Sequence, residues 1–417
     1  MVVMTGATVN AGYTPSPREI GTGSEANVKI EPFALERWMT TYEMNVGFDI
    51  AESGIYPMTM QELVDLERSA GDDGALDRLL NLRLGYSEAP GSAELRGLLA
   101  ATYAATAEDE ILVTTGAIEA NFLLFNLLLQ AGDHVIVIHP CYQQLESVPK
   151  AIGCDVSRWC VRDDAGFRFD VRDLEALITP HTRLIVLNSP HNPTGAVLSE
   201  ADLTRVYALA ESVDATVLAD EAYRWLTIPG EPPLAKPMRD RGEHGISVGT
   251  FSKPFGLPGI RIGWIAGSAD LVAKCWAMRD YVSLSPGKLN DALAVIALKH
   301  RDQIGERTRT IVERNLATAD AWFQEHADIA TWSRPRGGLL SLIQYDLKMP
   351  SLVLANHLAE QFGVMLAPGS AFGFEGYLRI GIGQEPAVFA EGLDRTAHCL
   401  RALQPADALA STGAATS

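Results

Sequence analysis

Cysteine is scarce in these 417 residues: the five at positions 141, 154, 160, 275 and 399 are an odd, scattered set with no C-x-x-C pair and no Cys/His cluster at metal-ligand spacing. The expectation is neither a disulfide framework nor a structural zinc site nor any other bound metal, but small thiols in a reducing compartment. Basic charge is also short. Against 52 Asp and Glu stand 34 Lys and Arg, a net charge of −18 that repels phosphate backbones and argues against a nucleic-acid partner. No apolar run reaches the roughly 18 residues of a membrane span, and the opening MVVMTGATVNAGYTPSPREI lacks the basic-then-apolar order of a secretory leader. A soluble, cytoplasmic protein without a membrane partner is expected. What remains is an ordinary globular composition, 47% hydrophobic and 21% charged, too apolar for disorder over most of its length.

From Ser92 to Gly267 helical patterns alternate with short apolar, β-branched runs: SAELRGLLAATYAA, ILVTT, EANFLLFNLLLQAG, HVIVI, RLIVLN, EADLTRVYALAES, TVLAD, ISVGT and IGWIAG. Nearly continuous apolar strands between helices indicate parallel β-α units covered on both faces. After Pro286-Gly287 and a long helical pattern from Glu306 to His326 the rhythm changes, with strands at LLSLIQY and YLRIGIG and helices at SLVLANHLAEQF and AVFAEGLDRTAHCL, an α+β arrangement. The expected division is a flexible tail over 1–28, a segment over 29–50 packing on the small domain, a large domain over 51–290, a small domain over 291–405 and a second flexible tail over 406–417.

Four segments at the carboxyl ends of these strands carry polar residues, where open α/β sheets bind their ligands. They are TTGAIEAN (Thr114–Asn121), NSPHNPTGA (Asn188–Ala196), ADEAYRW (Ala219–Trp225) and GTFSKPFGLPGIRIGW (Gly249–Trp264). Singly, each has a plain reading: Gly116 as a turn, NPTG as a β-turn, Asp220-Glu221 as a helix cap, Lys253 as a solvated charge.

In this order and spacing, over residues 50 to 400, the segments resemble the pyridoxal-phosphate enzymes of the class I/II aminotransferase family. The resemblance implies the aspartate-aminotransferase-like fold type I, an α/β fold with a large domain on a mainly parallel seven-stranded sheet and a smaller α+β domain. It implies pyridoxal 5′-phosphate as cofactor, a Schiff-base lysine at Lys253 that also moves protons, and Asp220 against the ring nitrogen. Asn192 and Tyr223 would bond the phenolate oxygen, and Tyr142 would stack on the ring. The backbone of Gly116, Ala117 and Ile118, with Thr250, Ser252 and Arg261, would hold the phosphate. Many relatives have Ser or Thr where Ala117 and Ile118 stand, which shifts the load to Arg261 and Thr250. Arg379 would grip the α-carboxylate of an amino-acid substrate, with Asn192 and Tyr56 beside it. Tyr86 would reach the phosphate of a neighbouring subunit, implying a homodimer.

DIAESGIYPMTMQEL replaces the Gly-x-Pro run that lines a transaminase pocket and resembles members of this family that serve antibiotic biosynthesis by eliminating or replacing a β-substituent. Bulky Ile55, Tyr56 and Met58 are expected near the substrate, restricting entry of an amino acceptor. Ordinary transamination is the alternative. A regulator with the same fold would carry a DNA-binding domain ahead of it, and the roughly thirty leading residues are few, poorly helical and not basic.

Overall fold

The structure is a computed structural model that describes residues 30–163 and 166–404, so the two expected tails lie outside the described residues. Its centre is a seven-stranded sheet. In spatial order the strands are Ile111–Thr114, Gly263–Ala266, Gly245–Thr250, Thr216–Asp220, Thr182–Asn188, His134–His139 and Asp155–Cys160. Pairing is parallel except for Gly263–Ala266, which runs antiparallel to both its neighbours. The β-α rhythm did not signal that reversal. Its cause is the link from Thr250 to Gly263, which holds only the short 3₁₀ turn Pro258–Ile260, and a parallel return needs a longer crossover.

The inner strands are fully buried, which is why they read as unbroken apolar runs; Ile136, Ile185, Leu218 and Val248 are inaccessible. The edge strand Asp155–Cys160 escaped the sequence reading because only Trp159 in it is buried. A second, antiparallel sheet of four strands orders as Ala367–Pro368, Tyr377–Gly381, Leu340–Tyr345 and Ala330–Trp332. Its core takes Trp322, Phe389 and Leu393 from the carboxyl-terminal helices and Leu35, Trp38 and Met39 from the helix Ala34–Tyr42. Phe48–Asp49 pairs in parallel with Val364–Met365. The expected boundary after residue 290 cuts the helix Lys288–Lys299, and that helix buries Leu293 and Ile296 with Leu95, Ile111 and Trp264 of the large half, so it belongs there.

Among the described residues no helix is long and apolar enough to cross a membrane. All five cysteines are free thiols, with Cys141, Cys275 and Cys399 buried.

Two glycines set close approaches in the sheet. A Cβ on Gly249 would enter the indole of Trp264, which is fully buried and donates to Tyr103 Oη at 2.8 Å, so the ring cannot retreat. Gly263 likewise lets the strand touch the backbone of Gly116 and Ala117. Gly249→Ala should therefore cost about 1–3 kcal/mol in urea unfolding through overpacking. Gly259→Ala, with nothing within 4 Å of the added atom, should stay within about 0.5 kcal/mol.

Candidate active site

Three adjacent parallel strands end together in register, with Asn188 opposite Asp220 and Asp220 opposite Val248, two residues before Thr250. Their carboxyl ends open on a cavity of about 510 Å³ that also takes Glu52, Ser53, Ala117, Ile118, Tyr142, Asn192, Tyr223, Ser252, Lys253, Arg261 and Arg379 as walls. Both sheets contribute to it.

Asp220 is buried, 5% exposed, and its carboxylate accepts from Asn121 Nδ2 at 2.9 Å and from the Ala222 N–H at 3.0 Å. Burial pushes its pKa up, opposed by those two donors and by Lys253. Asn188 braces the same strand end, donating to the Asp220 carbonyl at 2.9 Å while its own Oδ1 accepts from the Asn192 N–H at 2.7 Å.

The helix Ala117–Leu128, which also lines the cavity, begins on Gly116, whose φ of +81° favours glycine. A Cβ there would stand 2.7 Å from Arg261 Nη2, so glycine is what admits the guanidinium to the helix start. Free N–H groups, the helix dipole and that cation make an anion site. Thr250 Oγ1 is already engaged, 3.0 Å from Ser252 Oγ, 3.2 Å from the Ile262 carbonyl and accepting from the Ser252 N–H at 3.1 Å. Its proton is spent inside the loop, which leaves the Ser252 hydroxyl as the donor free to face an anion.

Lys253 Nζ donates to Ser53 Oγ at 2.6 Å and lies 3.3 Å from Glu52 Oε1. Burial opposes the ammonium, but Glu52 and Tyr223 outweigh it and hold the lysine above its ordinary pKa, the reverse of the lowering that amine chemistry asks of a site. Lys253 in turn draws the Glu52 carboxyl down to about 2, against burial and with help from the Gly54 N–H. Tyr223 is buried and its hydroxyl is raised by that burial, with Lys253, Arg379 and a hydrogen bond to Ser53 acting the other way.

Arg379, 2% exposed, donates to Asn192 Oδ1 at 3.2 Å and to the Ala51 carbonyl at 2.7 Å, while its Nε has no partner. Tyr142 Oη donates to Glu36 Oε1 at 2.8 Å, which ties the ring to the helix Ala34–Tyr42.

Four expected residues lie elsewhere in this chain. Tyr56 is 44% exposed with the Arg307 guanidinium 5.9 Å from its ring. Ile55 is buried in the second core, and Met58 packs on the large half. Being apolar, they were drawn into or against hydrophobic cores, and the segment presents Glu52 and Ser53 to the cavity instead. Tyr86 is 85% exposed and borders a separate hollow with Arg78 and Lys288. Sequence reasoning passed over Glu36, Glu52, Asn121, Gln144 and Asn188. Asn121 and Asn188 sat inside the quoted motifs, and the TTGAIEAN helix spacing was a signal for the first. His139, Cys141 and Glu146 also converge to within 4.8 Å, a grouping that sequence spacing did not suggest. Glu146, however, is engaged by Lys150 at 2.6 Å and Arg158 at 2.8 Å, cations that compete with any metal.

The donor set suits a phosphorylated pyridine aldehyde: an anion cradle that a Cβ at 116 would fill, a buried carboxylate and an amine, all on the walls of one cavity. The aminotransferase class I and II model matches residues 68–395. Capreomycidine synthase of Streptomyces vinaceus is 31% identical over 364 residues, 87% of this chain and 91% of that protein. Arginine–pyruvate transaminase AruH of Pseudomonas aeruginosa is 30% identical over 338 residues, 78% and 84% of the two. The solved structure of the PLP-dependent cyclase OrfR superimposes with a TM-score of 0.82 at 31% identity, covering 91% of this chain and all of that one.

Beneath the NPTG loop, His191 accepts at Nδ1 from Thr194 Oγ1 and donates from Nε2 to the Pro140 carbonyl, both at 2.7 Å. Burial lowers its pKa from 6.5 to about 3. Between those values the unfolded chain takes a proton that the folded chain refuses, so stability falls on acidification, by at most about 1.4 kcal/mol per pH unit. Urea unfolding at about pH 7.5 and about pH 5 should show a larger loss for the unaltered protein than for His191→Gln; equal losses would contradict a buried neutral imidazole.

Proposed function

Because the chain belongs to the aminotransferase class I and II family, we propose that it is an enzyme that takes an L-α-amino acid with a β-leaving group, a modified arginine, through β-elimination, β-replacement or cyclisation in the biosynthesis of a natural product of the antibiotic type. Its cofactor is pyridoxal 5′-phosphate, as in the family. When bound, the cofactor supplies an electron sink for the carbanion left at the substrate α-carbon.

The chain's own residues do the rest. The N–H groups of Gly116, Ala117 and Ile118, with Arg261 and the Ser252 hydroxyl that Thr250 positions, hold the phosphate. Asp220 keeps the ring nitrogen protonated, and the hydrogen bonds from Asn121 and Ala222 aim its carboxylate and favour its ionised form against burial. Asn192 and Tyr223 orient the ring oxygen, and Tyr142 covers one face. Arg379, with one terminal nitrogen on Asn192 and the other on the Ala51 carbonyl, offers a fixed fork to the substrate carboxylate. Lys253 Nζ takes the α-proton and delivers it onward. Tyr86 of a second copy completes the phosphate site in a homodimer.

The observation that carries the choice of reaction is Glu52 and Ser53 on Lys253, in the segment that replaces the usual transaminase run. The names of two of the relatives, a synthase and a cyclase, support it. Transamination is the second reading, supported by the arginine–pyruvate transaminase.

Adding β-hydroxyarginine without any keto acid should give repeated turnover with the cofactor spectrum restored each cycle. Stoichiometric conversion to pyridoxamine phosphate, reversed only by a keto acid, would establish transamination instead. Borohydride reduction and peptide mapping should place the pyridoxyl group on Lys253, and Lys253→Ala should fold yet retain no covalent label. A label on another lysine overturns the assignment.

A further inference from the structure

Seven charged side chains line the cavity: Lys253, Arg261 and Arg379 against Glu36, Glu43, Glu52 and Asp220. On the proposed function, which this inference rests on, most are spoken for. Arg261 faces the phosphate, Asp220 the ring nitrogen and Arg379 the α-carboxylate, and Lys253 is committed to the cofactor. Glu52 is thereby deprived of the amine 3.3 Å away, its only ion-pair partner among the described residues. Glu36 and Glu43 have none among them, and the one hydrogen bond found for either carboxylate is from Tyr142 to Glu36. Glu52 is then left with only the more distant charge of Arg379, Glu36 and Glu43 are exposed carboxylates lining the same cavity, and a neutral ligand adds no cation to any of the three.

An independent feature of the same cavity asks for a hydrogen-bond donor. Gln144, 6% exposed, spends its Nε2 on the Ile118 carbonyl at 2.6 Å, and its buried Oε1 has no partner. The segment bearing Glu52 is held in place for such a task. Asp49 accepts from the Ala51 and Glu52 N–H groups at 2.9 and 3.1 Å, and Glu52 Oε1 accepts from the Gly54 N–H at 2.8 Å. We infer that Glu52, with Glu36 of the helix Ala34–Tyr42 and Glu43 at its carboxyl-terminal cap, is the specificity wall of the site, and that the carboxylate holding Lys253 in the resting chain is passed to the side-chain guanidinium of the substrate.

The test uses cofactor-loaded protein and two ligands that lack an α-hydrogen and cannot turn over, α-methylarginine and its neutral isostere α-methylcitrulline. Both carry the same α-ammonium and α-carboxylate, so their affinity ratio, read from the cofactor absorbance, reports the side chain alone. The cationic ligand should bind at least about tenfold tighter, less so at high salt, and Glu52→Gln combined with Glu43→Gln should bring the ratio to within about twofold. Equal affinities in the unaltered protein overturn the inference whether or not the variants fold, and so does a ratio that survives both substitutions. A failure of the underlying reading is distinguishable, since it appears as a label away from Lys253.

Discussion

A carboxylate buried at the end of a central strand is the constraint on which this site depends. Removing Asp220 from water is costly unless donors meet it. The fold supplies a side-chain amide from the helix after Gly116 and a backbone N–H two residues on, and it stiffens the strand end through Asn188. Those neutral donors satisfy the oxygens without cancelling the charge, and burial still raises the pKa. A cation is what balances such a group, and the helix start with Arg261 lines the same cavity, suited to the opposite charge.

Arg379 joins the halves of the molecule. It lies on the four-stranded sheet, yet its guanidinium rests on Asn192 from the seven-stranded side and on the carbonyl of Ala51 from the amino-terminal segment. Being fully buried, it pays a desolvation cost that is offset by Tyr223, Glu52 and Asp49 around it. One side chain thus both lines the cavity and ties the two sheets together.

Much of this was legible in sequence where local chemistry decides it. Inner strands such as TVLAD are apolar on both faces and stand out, and the lysine, aspartate and arginine sit in motifs whose spacing reflects a strand, a turn and a helix start. The rest depends on long-range partners. Glu36 meets Tyr142 across 106 positions, and no periodicity announces that. In DIAESGIYPMTMQEL the bulky residues stand out, but apolar bulk is what cores take up, so the smaller polar pair faces the cavity. The edge strand Asp155–Cys160 carries too few buried residues to be seen. The single antiparallel strand reflects a missing crossover helix, which strand composition does not record.

The segment from Glu52 to Gly54 lies against Gly381 and Gly383, where any Cβ would collide with the carbonyls of Glu52 and Gly54. These backbone contacts hold the segment alongside the bond from the Gly54 N–H to Glu52 Oε1. A residue at 52 that can still accept from the Gly54 N–H leaves the loop where the two glycines seat it and changes only the group that the loop shows to the cavity. The pair of glycines acts as a socket, and the residue facing the cavity as an interchangeable fitting.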